Sequence, residues 1–273
     1  MDIPEIGVIE TFARMLQALP VVRKFLIDLA SSPSTDGRDT PVQLTTRGLL
    51  DRAACWFGSF QLLGDSQHYQ AHLAGFRTMI EITVDLALLT IDPSANDRLE
   101  AWELSARFKS ASQLLESARI GVRLEMPLGP PSDFVKRHQS EVESIRARYW
   151  KGIHPTTRWT NNRLADDIKC VDSRFPALSL RRTYEELYRY ACWGVHGGGL
   201  AAVRGRSALE MAFPCTLAFY ESAQLGWASA EFASRLLNRF ELGHQQALKS
   251  AQEDWVLAFG NLRRDSKSIV EIE

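Results

Sequence analysis

The sequence is poor in the features that most quickly reveal an activity. Four cysteines, Cys55, Cys170, Cys192 and Cys215, are spread over 273 residues, none in a Cys-x2-Cys pair and the nearest two 22 residues apart. No histidine spacing completes a zinc site around them, so small buried thiols in a reducing compartment are expected. Long hydrophobic runs are missing as well. The most apolar stretch, 80–91, is interrupted by Glu81 and Asp85, well short of the ~18 uncharged residues of a membrane span. The opening MDIPEIGVIE has acids and no basic region before its first apolar residues, unlike a secretory leader. A cytoplasmic protein without a membrane partner is the expectation. Nor is there an excess of one charge: 32 Lys+Arg face 33 Asp+Glu, a formal charge of −1. A polyanion would have to find a local basic patch.

Phosphate loops of the Gly-x4-Gly-Lys type, Gly-x-Ser-x-Gly elbows and Gly-x-Gly-x2-Gly turns are all absent. His68-x3-His72 has the spacing of two ligands on one helix face, but no Glu joins it and no third ligand is indicated. It reads as a surface pair. Glu241-x2-His244 is half of a di-iron motif whose second half is missing. No metal and no cofactor are expected.

Helical periodicity is what the chain does contain, and the fold class it predicts is all-α, a multi-helix bundle. The apolar stripe Ile9, Phe12, Leu16, Leu19, Val22 and Leu26 predicts a first helix over 5–30. SSPSTDGRDTP (31–41) reads as a linker. Helices follow near 43–63, 67–91 and 95–118; MPLGPPSD (126–133) is a break, and a polar helix runs to about 151. Short helices near 163–171 and 179–195 and two final ones near 207–239 and 242–260 complete the pattern. The expected organisation is an N-terminal helix (1–30), a bundle domain (43–260) and a flexible tail (261–273).

Two segments carry chemistry. In the third helix, Arg77, Glu81 and Asp85 fall at i, i+4 and i+8 on an otherwise apolar cylinder, which stacks them on one narrow face. Spacing leaves two readings open: a solvent-facing ladder of ion pairs, or an interior polar cluster in which Glu81 orients a cation from another helix. The second segment, SLRRTYEELYRYACWGVHGGG from Ser179, places Arg182, Arg189 and His196 seven residues apart. Between Ser179 and Leu209 five arginines, including Arg204, face two glutamates. Histidine moves protons near neutral pH and arginine stabilises a phosphoryl transition state. A structural histidine beside solvated arginines is the competing reading. Trp159, in the loop Arg158-Trp159-Thr160-Asn161, could stack a base or simply pack. The remaining tryptophans sit at helical positions and read as core.

Arg189-x6-His196 followed by glycine, in an all-helical chain, resembles the HEPN superfamily. The chain also resembles an uncharacterised bacterial family of helical proteins with a domain of unknown function. That family combines an Arg-x3-Glu helix, a Trp-Thr loop and a Tyr-x3-Tyr-Arg…Val-His helix. Here these read Arg77-x3-Glu81, Arg158-Trp159-Thr160 and Tyr184-x3-Tyr188-Arg189 through Val195-His196, over roughly 45–235. The resemblance implies a HEPN-like core with an extra N-terminal helix. It also implies a metal-independent endoribonuclease, of the kind found among toxins and phage-defence effectors, acting as a homodimer. Arg189 would stabilise the phosphate, His196 would serve as acid or base, and Glu81 would be an orienting acid. Arg77, Arg182, Trp159 and Arg204 would line the RNA. The alternative is a non-catalytic module that binds a nucleotide or a protein partner, as in a toxin–antitoxin or defence system. Tyr190, where active HEPN motifs carry Asn, Asp or His, points that way.

Overall fold

The computed structural model describes residues 5–34, 37–119, 129–152, 158–195, 208–239, 245–253 and 255. Among these the chain is all-α and contains no strand. It divides into two compact units, one formed by residues 1–93 with 168–273 and the other by residues 94–167.

The first unit is built around α1 (Glu5–Ala30), α2 (Pro41–Leu62), α3 (Tyr69–Ile91) and α8 (Ala208–Leu236). The stripe on α1 buries Phe12, Leu19, Val22 and Leu26 as its 3.6-residue period requires, with Met15 beside them. Rather than hanging free, the 31–40 connection is pinned. The Arg47 guanidinium forks onto both carboxylate oxygens of Asp39, at 2.8 and 3.1 Å, and also donates to the Ala30 carbonyl. Thr40 then starts α2 with a reciprocal cap, its hydroxyl taking the Gln43 N–H while Gln43 Oε1 takes the Thr40 N–H at 2.8 Å.

α3 is buried around most of its circumference. Two glycines let it and α8 sit close to their neighbours. A Cβ at Gly75 would collide with Phe60 and Trp56 of α2, and one at Gly226 would lie 2.8 Å from Val22 and 3.0 Å from Phe57. Thr83 and Ser229 add a buried polar tie between α3 and α8, 2.9 Å apart. The Thr83 hydroxyl also lies within reach of the Met79 and Leu225 carbonyls.

The second unit pairs α4 (Asn96–Arg119) with α5 (Gly129–Trp150). α5 begins inside the predicted break at 126–133, because Pro130 and Pro131 fall in its first turn, where a missing N–H costs nothing. α6 (Leu164–Arg174) contributes its first turn to this unit and the rest to the first.

The helical run that follows is not uniform. It comprises an α turn (Leu180–Thr183), a π-helical stretch (Tyr184–Tyr188) and an α-helix (Arg189–Val195), together α7. Its start is held by the Asp172 carboxylate, which accepts the N–H groups of Leu180 and Arg181 at 3.0 and 2.8 Å. A last helical stretch covers 245–253. The predicted tail, 261–273, lies outside the described residues.

Two expectations are corrected. Of the four thiols only Cys215 is buried; Cys55 and Cys170 are exposed and Cys192 is half-buried. On α2 the small neighbours Ala53 and Ala54 turn inward and leave Cys55 on the outer face. His68 and His72 are not a surface pair either, since His72 has 0% exposure. His68 precedes the first turn of α3, whereas His72 enters a box of Phe12, Phe60 and Phe219 rings with centroids 4.8–6.3 Å away.

Candidate functional site

The charged stripe of α3 meets α7 at the π turn. Arg77, Glu81 and Asp85 are all half-buried, so the stripe is neither a solvated ladder nor a sealed core. The partner of Glu81 is a phenol. Tyr188, 8% exposed, donates its hydroxyl to Glu81 Oε1 at 3.1 Å. The Arg77 guanidinium lies over the Tyr188 ring, 5.3 Å from its centroid. Tyr184 stacks on Tyr188 with centroids 5.0 Å apart and planes 23° from parallel.

Burial and neighbouring charges act on two members of this cluster, Tyr188 and Arg77. Burial and the Glu81 charge push the Tyr188 phenol well above its ordinary range, so it stays a donor. Burial works against the Arg77 cation, but the Tyr188 hydroxyl, Cys192 and Glu81 outweigh it and raise its pKa. Arg77 Nε is buried without a hydrogen-bond partner among the described residues.

The arginines of α7 behave differently from one another. Arg181 and Arg182 form exposed ion pairs with Glu185 and Glu186, one turn on, at 2.8 and 3.2 Å. Arg189 is exposed and has no ion pair or side-chain hydrogen bond among the described residues. It therefore does not supply the cation that Glu81 was expected to orient; Tyr188, the preceding residue, occupies that place. The stripe side of α7 also meets α8, where Thr183 donates to Glu221 at 3.2 Å. Burial raises the pKa of that carboxyl against the pull of Thr183 and Arg182. His196 and Arg204 lie outside the described residues.

In the second unit the Arg-Trp-Thr loop is a structural lock. Asp167, 1% exposed, accepts from Arg158 Nε at 2.7 Å, Thr160 Oγ1 at 2.8 Å and Asn162 Nδ2 at 3.0 Å. Trp159 is 4% exposed, so its ring packs and offers no open face to a base. Among the described residues no cluster of His, Cys, Asp and Glu could hold a metal, and no helix is long and apolar enough to cross a membrane.

Sequence reasoning missed Tyr188 and Asp167. The signal for Tyr188 is the Tyr-x3-Tyr spacing opposite an Arg-x3-Glu helix. Asp167 could have been found from the donors Arg158, Thr160 and Asn162, which need one buried acceptor.

A family model matches residues 45–207, about three fifths of the chain. The chain belongs to DUF5677, a family of unknown function. The expectation of a helical family of unknown function is met, over a shorter span than 45–235. The DUF5677 segment takes in all three elements quoted for that family: Arg77 with Glu81, the Trp159 loop, and α7 with His196. α1 and the whole of α8 lie outside it, although α1 packs against α2 and α8, and α8 against α3 and α2, within the first unit. No curated protein and no solved structure matches the chain.

Proposed function

We propose that the DUF5677 segment is a metal-independent endoribonuclease of the HEPN type, with Arg189 and His196 as its working pair. The observation that carries this reading is the state of Arg189. Its two upstream neighbours, Arg181 and Arg182, are neutralised by glutamates one turn away, whereas Arg189 is exposed with no partner among the described residues. A cation in that state is available to a phosphate. It also sits directly after a π turn, a rare feature concentrated at functional sites.

The chemistry follows from RNA itself. Removal of the 2′-hydroxyl proton lets that oxygen attack the adjacent phosphorus, and the 5′-oxygen leaves with a proton. The products are a 2′,3′-cyclic phosphate and a 5′-hydroxyl end. His196 fits either proton transfer, and Arg189 balances the charge gathering on the phosphoryl oxygens. Arg204, and Arg182 once it exchanges its weak exposed pair with Glu186 for a phosphate, would hold neighbouring phosphates, and a second copy of the chain would complete the cleft.

The test is incubation of the purified chain with tRNA and total RNA, with and without EDTA. Cleavage that survives EDTA and is lost in both Arg189→Ala and His196→Ala is expected. Intact RNA under every condition overturns the enzymatic reading. Tyr190, following the arginine, favours a second reading, a non-catalytic module binding a nucleotide. A thermal-shift series with nucleotides separates the two, since a binder gains stability as ligand exceeds its Kd.

A further inference from the structure

α7 contains a conformation that needs a cause. Between Tyr184 and Arg189 the backbone closes an i→i+5 bond, Arg189 N–H to Tyr184 carbonyl. Such a turn holds one more residue than an α turn and persists only where tertiary contacts specify it. The extra residue also rotates everything beyond it. One residue of an α-helix is about 100° of azimuth, so Arg189 leaves α7 in a direction that a regular helix would not give it.

The contacts that could specify the turn converge on one side chain. Tyr188 ends the π stretch, donates to Glu81, lies under Arg77 and stacks with Tyr184. Each partner constrains a different freedom. The Glu81 bond fixes how deep the phenol reaches into α3, the guanidinium fixes the plane of the ring, and the Tyr184 stack brings together the two ends of the turn.

We infer that Tyr188, clamped by Glu81 and Arg77 of α3, is the positioning residue that holds the π turn of α7 and so sets the direction in which Arg189 faces solvent. Its consequence for RNA cleavage rests on the proposed role of Arg189; the clamp itself does not. Tyr188 touches no substrate in this account. It acts through the backbone, and Glu81 acts through Tyr188 rather than on a reacting atom.

Hydrogen–deuterium exchange of the full chain tests the clamp without reference to activity. Tyr188→Phe removes only the donor and keeps the ring, and Glu81→Gln keeps an acceptor and serves as the rescue. Amides in 184–195 are expected to exchange about three- to tenfold faster in Tyr188→Phe, the worth of one net hydrogen bond. Glu81→Gln should stay near wild type, and helices α1 and α2 should be unchanged in both. Unchanged exchange over 184–195 in Tyr188→Phe, or faster exchange in Glu81→Gln equal to that in Glu81→Ala, overturns the clamp.

RNA cleavage is the second arm. A small displacement of a working group can cost about 10²-fold, so Tyr188→Phe is expected to fall steeply in kcat while RNA binding holds. Full cleavage by a variant whose exchange has risen overturns the link to Arg189. A wild-type chain that cleaves nothing removes the ribonuclease reading instead, and the exchange result still decides the clamp.

Discussion

The two units of this chain solve the same problem by different means. The first buries long apolar stripes of four helices against one another, with Phe57, Phe60, Phe76 and Phe219 among its fully covered side chains. The second has few such residues: Leu99, Ala101, Ala111, Val142, Trp150 and Trp159 are its buried apolar side chains among those described. It relies on polar and cation–ring contacts instead. Arg146 donates to Ser105 at 3.0 Å and lies over Phe108, Arg107 lies over Phe134, and Asp167 ties the 158–162 loop to α6. The contrast teaches that buried charge takes on a specifying role where apolar area is scarce. A hydrophobic interface tolerates small shifts, whereas a carboxylate with three donors accepts one geometry.

Two substitutions break this comparison with the largest effects. Asp167→Ala removes the buried carboxylate to which Arg158, Thr160 and Asn162 all donate, which is expected to cost about 3–5 kcal/mol. Phe57→Ala leaves a cavity at the centre of the first unit and is expected to cost a similar ~3–5 kcal/mol. They differ in where the loss shows. Limited proteolysis should cut first within 94–167 for Asp167→Ala and within the four-helix unit for Phe57→Ala. Identical cleavage patterns would mean that the units do not unfold separately.

Gly226→Ala probes packing tolerance more gently. The new methyl would stand 2.8 Å from Val22 and about as close to Phe57, so α8 must withdraw from α1 and α2. Overpacking of this kind costs about 1–3 kcal/mol. Denaturant unfolding should show a lower midpoint with an unchanged slope.

Much of the fold was legible because the first unit obeys its periodicity. The predicted first helix, 5–30, coincides with Glu5–Ala30, and the apolar cylinder of the third predicted helix is buried at Met79, Ile80, Val84, Leu86 and Leu89. The site was less legible, for physical reasons. A π turn is invisible to a 3.6-residue template, so the seven-residue spacing of Arg182 and Arg189 does not set their relative direction as it would in a regular helix. Glu81 announced a partner but not its identity, since a buried carboxylate is satisfied by a phenol as well as by a guanidinium. His72 was misplaced because i, i+4 spacing assumes both residues lie within the helix, and His68 only caps it.

His72 sharpens the comparison through pH. The Asp65 carbonyl can only accept, so the 3.1 Å contact assigns the proton to Nε2 and leaves Nδ1 buried without a hydrogen-bond partner among the described residues. Burial, with help from His68, lowers the imidazole pKa from 6.5, although the Asp65 and Leu63 backbone and the Asp65 charge pull it back up. The unfolded chain therefore takes a proton near pH 6.5 while the folded one resists it. Stability associated with His72 is full above about pH 6.5 and is lost as pH falls through that value. Midpoints measured at pH 7.5 and 5.5 should diverge more in the wild type than in His72→Phe, which suits the aromatic box. Equal slopes would show that His72 is not the titrating group.

The smallest effect is expected on α7, the helix that carries the functional proposal. Arg182 and Glu186 pair at 3.2 Å with side chains 77% and 63% exposed, so water screens most of their attraction. An i, i+4 pair of this kind contributes about 0.2–0.5 kcal/mol and weakens with salt. A double-mutant cycle with Arg182→Ala and Glu186→Ala should return a coupling of that size, fading toward zero in molar salt. Arg189→Ala should change stability no more than this pair does, because the side chain is exposed and no ion pair or side-chain hydrogen bond holds it among the described residues. That near-silence is what makes Arg189 informative: any large loss of RNA cleavage in Arg189→Ala, at unchanged stability, belongs to chemistry or binding rather than to folding. A coupling well above 1 kcal/mol would mean that the Arg182–Glu186 pair is desolvated rather than exposed as it stands here.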